Sequence, residues 1–136
     1  MASQSKHLVQ WKHNRKLIAL IDREFPDWIV TVAFYAALQI VDALLECEGN
    51  FPTNHETRNL ILMKTNRYKK INQHFLPLYN LSRTVRYMAD HSKWIPADRI
   101  EVDVLGRNLY PIENSALKLM DLGDEVPSPI SLKPAE

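Results

Sequence analysis

The stretch from Trp28 to Cys47 is the most apolar part of the chain and limits the folds open to it. A membrane span needs about 20 mostly apolar residues with few charges, whereas Gln39, Asp42 and Glu46 interrupt this stretch. The whole chain has 136 residues, the size of one domain with one hydrophobic core. We therefore expect a central helix buried on most sides and no membrane segment.

Apolar periodicity and helix-stop signals predict further helices around this one. The chain has only three glycines and no convincing strand pattern. Helices are expected at residues 5–25, 27–48, 76–90 and 109–122, and the helix at 76–90 has Pro77 in its first turn. A further helix is expected from residue 54 onward, after a capping box formed by Thr53 and Glu56. Residues 68–75 fit a short helix or a loop. The prediction is an all-α up-and-down bundle of four to five helices over residues 1–122, followed by a flexible, Pro-rich acidic tail at 123–136.

The charges are distributed unevenly along the chain. Residues 55–99 carry nine basic and three acidic side chains, whereas residues 1–54 and 100–136 are net acidic. This pattern favours an anionic partner, although a solvated basic face balanced by the acidic tail is the alternative.

Cysteine and histidine usage narrows the chemistry. A single cysteine, Cys47, excludes an intramolecular disulfide and fits a reducing, intracellular compartment. The five histidines show no pair at metal-ligand spacing, so we expect neither a metal site nor a cofactor. The first seven residues have no apolar core of signal-peptide length, and we expect a cytoplasmic protein.

Two polar clusters are candidates for function. On a helix, His55 shares a face with Arg58 and Asn59 near the helix start, where free N–H groups favour an anion. Capping and surface polarity are the structural alternative for this cluster.

The second cluster interleaves arginines and aromatic residues. Tyr79, Arg83, Arg86 and Tyr87 are neighbours at helical separations. A planar guanidinium suits phosphate and an aromatic ring suits base stacking. The alternative is a local ion pair between Arg86 and Asp90, four residues apart.

Together, and in this order, several segments resemble the HEPN family of small helical proteins. The segments are Asp27–Leu38, Pro52–Asn59, Leu78–Arg83 and Arg86–Tyr87. The resemblance implies a helical bundle that dimerises. Many members are metal-independent endoribonucleases of toxin–antitoxin, CRISPR and other defence systems, while others are non-catalytic modules that bind nucleotides or proteins. Many are encoded beside a small nucleotidyltransferase.

The resemblance also implies a catalytic pair, an Arg followed by four to six residues and a His. Arg86 and His91 match this spacing, although Tyr87 stands where a polar residue such as Asn is common. Arg58 has no His at the required distance. Five residues of regular helix turn by about 500°, so Arg86 and His91 converge only if the helix ends near residue 90 or if they meet through a dimer partner.

The resemblance therefore implies a metal-independent endoribonuclease. In the implied chemistry, the 2′-OH of the RNA attacks the adjacent phosphate, His91 acts as acid or base, and Arg86 stabilises the phosphate oxygens. The residues expected to bind substrate are Arg83, Tyr87, His55, Arg58 and Asn59. The expected partners are a second copy of the chain, RNA or a nucleotide, and a nucleotidyltransferase-type antitoxin or another defence-system protein.

Two other interpretations stay open. The first is a non-catalytic module that binds nucleotide or RNA, or docks on a protein within a larger complex. The second is a structural subunit whose polar residues serve only folding.

Overall fold

The computed structural model describes residues 2–87 and 95–133, and these ranges are helical without any strand. The α-helices are α1 (Ala2–Leu20), α2 (Pro26–Cys47), α3 (His55–Lys64), α4 (Lys69–Tyr87), α5 (Ala97–Ile100) and α6 (Tyr110–Leu119). A π-helical segment, Glu101–Leu109, joins α5 to α6, and single 3₁₀ turns lie at Asn66–Tyr68 and Gly123–Glu125. The predicted all-α bundle is confirmed.

Helix α2 forms the centre of the bundle, with α1, α4 and α6 packed against it. Ala33, Ala36 and Ala37 are fully buried, and such small side chains allow neighbouring helices to approach closely. Within the described ranges α2 is also the one helix long and apolar enough to cross a membrane. Of its most apolar 18-residue stretch, 78% is buried inside the protein. The prediction of a helix buried on most sides is confirmed.

The ends of α2 and the start of α3 follow local stereochemistry. Pro26 occupies the first turn of α2, where a missing N–H leaves no helical bond unmade. The chain leaves α2 through Gly49, whose φ of +83° is favourable only without a side chain. Asn54, rather than the predicted Thr53, caps α3 by accepting a hydrogen bond of 2.8 Å from the Thr57 N–H.

Helix α4 begins at Lys69, seven residues before the predicted start, and therefore contains Pro77 in its interior. The buried side chains Ile71, Phe75 and Leu78 recur at helical spacing and hold this first half against the core. Pro77 and Gln73 are both exposed. Water can therefore solvate the Gln73 carbonyl, which receives no hydrogen bond because proline has no N–H.

The last helical region begins at residue 97, twelve residues before the predicted start. Ile100, Val104, Leu105 and Leu109 are buried, so the core-facing side chains recur every four to five residues. This repeat is longer than that of an α-helix and suits the wider π turn. Pro111, which has no N–H to donate, follows this segment in the first turn of α6.

The C-terminal segment is packed rather than free over the part that the structure describes. Leu132 is only 4% exposed, and Arg15 of α1 donates a hydrogen bond of 3.0 Å to the Ser128 carbonyl. Arg23 donates one of 2.7 Å to the Lys133 carbonyl. Residues 126–133 therefore differ from the flexible tail expected from residue 123, because Val126, Ile130 and Leu132 pack against the core.

Candidate functional site

Arg86 is held against an aromatic surface near the C-terminal end of α4. Its guanidinium carbon lies 5.6 Å from the ring centre of Phe34, 5.7 Å from that of Tyr35 and 5.4 Å from that of Tyr87. Its Nη1 donates a 2.9 Å hydrogen bond to the Tyr35 hydroxyl, and its Nε donates one of 3.2 Å to the Ser82 carbonyl. Among the described residues no carboxylate pairs with Arg86.

His55, Arg58 and Asp42 form a connected set beside this surface. Arg58 is 7% exposed and donates two hydrogen bonds to the Asp42 carboxylate, from Nε at 2.7 Å and from Nη2 at 3.1 Å. The remaining Nη1 of Arg58 lies 3.2 Å from Nδ1 of His55. Since a guanidinium can only donate, Nδ1 accepts and a neutral His55 carries its proton on Nε2.

The surroundings of His55 favour its neutral form. Burial lowers the pKa of His55, and the positive charges of Arg58 and Arg86 lower it further, while Asp42 opposes them. A neutral His55 with its proton on Nε2 can donate one hydrogen bond from that atom to an acceptor such as a phosphate oxygen.

The ring of Phe34 connects the two parts of the site. Its centre lies 5.9 Å from that of His55 and 5.8 Å from that of Tyr79, and the His55 and Tyr79 rings are 5.5 Å apart. Arg83, one turn before Arg86, lies over Tyr79 at 5.7 Å. Side chains from α2, α3 and α4 thus form one surface, called here the arginine–aromatic site, which consists of Phe34, Tyr35, Asp42, His55, Arg58, Tyr79, Arg83 and Arg86.

An open cavity of about 330 Å³ borders Arg86 on one side. It is lined by Asp27, Trp28, Thr31, Tyr35, Val85 and Arg86. Trp28 is 58% exposed. This cavity is called here the Trp28 pocket.

A second cavity, of about 290 Å³, lies between α3 and α4 on the Tyr79 side of the site. Asn59 lines it, together with the exposed apolar side chains of Leu60, Met63 and Leu76. Asn59 therefore faces this groove rather than Arg86.

The predicted site residues are only partly brought together. Arg83 and Arg86 belong to the arginine–aromatic site and Tyr87 lies beside Arg86, as expected from their helical spacing. His55, from the other predicted cluster, belongs to the same site. Arg58 differs from the expectation of a substrate contact, because it is buried and bound to Asp42. The predicted partner of Arg86, His91, lies outside the described residues.

Three residues of the site were not predicted from sequence. Phe34, Tyr35 and Asp42 all come from α2, and their partners lie between 16 and 52 residues away. Asp42 did carry a signal, since a carboxylate inside an apolar helix needs a partner if it is buried.

A basic groove lies at the opposite end of α4. It encloses about 370 Å³, and its charged lining consists of Arg67, Lys69, Lys70 and Lys118. Arg67 is bound to Glu48 at 2.8 Å, so the three lysines supply the free positive charge of the lining among the described residues. Helical rise places the start of α4 about 26 Å from Arg86. No group of three or more His, Cys, Asp or Glu side chains suited to a metal ion occurs in residues 2–87 and 95–133.

Comparisons of the chain with protein-family models, with curated proteins and with solved structures give no match. The functional interpretation therefore depends on the chemistry of the arginine–aromatic site itself.

Proposed function

We propose that this chain is a HEPN-type, metal-independent endoribonuclease that binds single-stranded RNA at the arginine–aromatic site. The observation that carries the proposal is the set of contacts that the Arg86 side chain makes. Arg86 is half-buried, its guanidinium is oriented by Tyr35 and Ser82, and no carboxylate pairs with it in the described ranges. The Nη2 of Arg86 also donates a hydrogen bond of 3.4 Å to the Ser82 hydroxyl, so three of its five N–H groups are used and two can donate to a phosphate oxygen.

The proposed reaction needs only groups that proteins and RNA supply. The 2′-oxygen forms a bond to phosphorus, the bond from phosphorus to the 5′-oxygen breaks, and a 2′,3′-cyclic phosphate remains. A base takes the proton from the 2′-OH, and an acid protonates the departing 5′-oxygen. Arg86 stabilises the charge on the phosphate oxygens, and His91 is proposed as the acid or base.

Other parts of the molecule support RNA as the substrate. Tyr87 is 76% exposed beside Arg86, and exposed aromatic rings stack on unpaired bases. The basic groove about 26 Å along α4 suits further phosphates of the same strand.

We propose further that a homodimer acts in the cytoplasm, with a nucleotidyltransferase-type or other defence protein as its regulator. The exposed apolar side chains of Leu60, Met63 and Leu76 beside Tyr79 support the proposal that this face forms the dimer interface. A second copy on that face would place its own groups near the site. We expect Met63→Glu to shift the sedimentation coefficient from dimer to monomer.

The direct test is an RNA cleavage assay in EDTA, with wild type, Arg86→Ala, His91→Ala and His55→Ala. We expect wild type to leave cyclic-phosphate ends, and Arg86→Ala and His91→Ala to lose cleavage by about 100-fold or more. Lys12→Ala, an exposed change on α1, is the control for lost positive charge. Retained cleavage in Arg86→Ala, with the fold intact by circular dichroism, would overturn the proposal.

A second candidate is a non-catalytic module that binds RNA or a nucleotide. The state of His55 favours it, because its Nδ1 is occupied by Arg58 and its pKa is lowered. A neutral imidazole of this kind can donate a hydrogen bond from Nε2, but it does not readily give up that proton as a general acid. RNA binding that needs Arg86 but gives no cleavage with wild type would select this candidate.

A further inference from the structure

We propose that the Trp28 pocket is a guanine subsite, and that Asp27 sets a preference for guanosine in the bound RNA. The inference rests on the proposed function and names the base that the site accepts. It starts from two features of one cavity, an exposed tryptophan and a first-turn carboxylate that has no hydrogen-bond or ion-pair partner among the described residues.

The walls of the pocket suit a flat aromatic ligand. Trp28 is 58% exposed and Tyr35 is 37% exposed, although the core of the bundle buries residues as large as Phe34 and Phe75 completely. The cavity of about 330 Å³ falls within the usual range of small-ligand sites, which begins at about 300 Å³. A nucleobase stacked on the Trp28 indole would cover this apolar surface.

The polar groups of the pocket lie at positions that suit a nucleotide. Arg86 and Asp27 both line the cavity, and the two form no ion pair with each other. In the described ranges the Asp27 carboxylate has neither a hydrogen bond nor a salt bridge, whereas the Asp27 carbonyl accepts one from Thr31. An arginine that can bind an anion and an acceptor-only carboxylate in one cavity suit a ligand that carries both a phosphate and a hydrogen-bond-donor edge.

Guanine is the base whose Watson–Crick edge fits a carboxylate. It presents two adjacent donors, N1–H and the N2 amine, to the two acceptor oxygens. Adenine and cytosine each place a ring nitrogen acceptor beside their amine, and uracil flanks its single N–H with carbonyls. In single-stranded RNA this edge is free to be read.

The test measures binding separately from cleavage. The probes are 2′-O-methyl hexauridylates that carry one central guanosine, inosine or adenosine, since these oligonucleotides lack the attacking hydroxyl. We expect the guanosine probe to bind about tenfold or more tightly than the adenosine probe, with inosine between them because it lacks the N2 amine.

Variants assign the preference to the pocket. Asp27→Asn should abolish the difference between guanosine and adenosine probes, and Trp28→Ala should weaken all three probes. Asp98→Asn is the matched control, because Asp98 is an exposed aspartate in the first turn of α5 and lies outside the pocket. Its affinities should equal those of wild type.

The outcomes separate the subsite from the proposed function. Equal binding of the guanosine and adenosine probes, or discrimination that survives in Asp27→Asn, would overturn the guanine subsite even if wild type cleaves RNA. Guanosine-selective binding without cleavage would support the subsite and reject the nuclease. If Trp28→Ala changes the oligomeric state but not the RNA affinity, a second copy covers this face and the subsite is wrong.

Discussion

At the scale of single residues, the pair formed by Asp42 and Arg58 connects the central helix to the site. The Arg58 side chain is 8% exposed and that of Asp42 is 14% exposed, so both charges are largely removed from water. Their bidentate contact leaves one nitrogen of Arg58 for His55, and α2 thereby sets the position of the imidazole.

We expect Asp42→Asn to lower the free energy of unfolding by about 3 kcal/mol, because it leaves Arg58 as a buried charge without its counterion. Chemical denaturation in urea measures the change. Arg99→Ala is the control, since it breaks the exposed Arg99–Asp103 pair and should cost less than about 0.5 kcal/mol. Equal losses for the two variants would contradict the buried pair.

Because the pKa of His55 is lowered in the folded protein, the direction in which its contribution to stability changes with pH can be predicted. The unfolded chain binds a proton at His55 near the ordinary pKa of 6.5, whereas the folded chain binds it only at lower pH. Its contribution to stability is complete above pH 6.5 and is lost as the pH falls below that value.

His55→Gln should therefore show a smaller loss of stability between pH 7.5 and 5.5 than wild type, as measured by melting temperature across that range. His13→Gln, at an exposed position of α1, should keep the wild-type pH dependence. An unchanged slope in His55→Gln would show that the neutral form is not favoured.

Sequence reasoning identified those parts of the site whose residues lie within one helical turn of each other. Arg83 and Arg86 lie one turn apart, and His55 and Arg58 are three residues apart, so helical spacing brings each pair together. The α2 members could not be found in this way, because the register in which α2 packs on α3 and α4 depends on the whole core. His91 remains a prediction.

At the scale of elements, α4 is a continuous helix with a proline in its middle. Its buried face extends on both sides of Pro77, so tertiary packing outweighs the cost of the missing hydrogen bond. The interruption lies on the solvent side of the helix.

We expect Pro77→Ala to raise the free energy of unfolding, on the order of 2 kcal/mol, because alanine restores the bond to Gln73 and fits the helix. Thermal or urea unfolding measures this gain. Pro26→Ala is the matched control: at the first position of α2 the new N–H has no helical partner, and we expect no gain. A gain of similar size in both variants would reject this account.

The helices that sequence predicted best are those with strong end signals. Pro26 and Gly49 set the limits of α2 to within two residues, and polar residues before His55 set the start of α3. The start of α4 was missed because Pro77 was interpreted as a boundary. The π-helical segment was missed because its apolar spacing departs from the α-helical repeat.

At the scale of the whole molecule, the C-terminal segment closes the bundle over α1. Arg15 joins the two by binding both the Ser128 carbonyl and the buried carboxylate of Glu113 in α6. Leu132 adds an apolar contact near the end of the described chain. The segment is thus part of the folded unit.

We expect Leu132→Ala to lower the free energy of unfolding by about 2 kcal/mol, the cost of emptying a buried leucine site. Leu20→Ala is the control, because Leu20 is 72% exposed and its truncation should cost under about 0.5 kcal/mol. Urea denaturation of both variants measures the change in the free energy of unfolding. If the C-terminal segment were free in solution, Leu132→Ala would not change this free energy.

The π-helical segment between α5 and α6 bears on how the chain tolerates changes in length. Each π turn closes through one more residue than an α turn, so removal of one residue can convert it to an α turn. Gly106 is exposed in the middle of this segment and is a suitable position for such a deletion. We expect a chain without Gly106 to keep the buried faces of α5 and α6 on the core. The same deletion in the middle of α2 would rotate every later residue of that helix by about 100°.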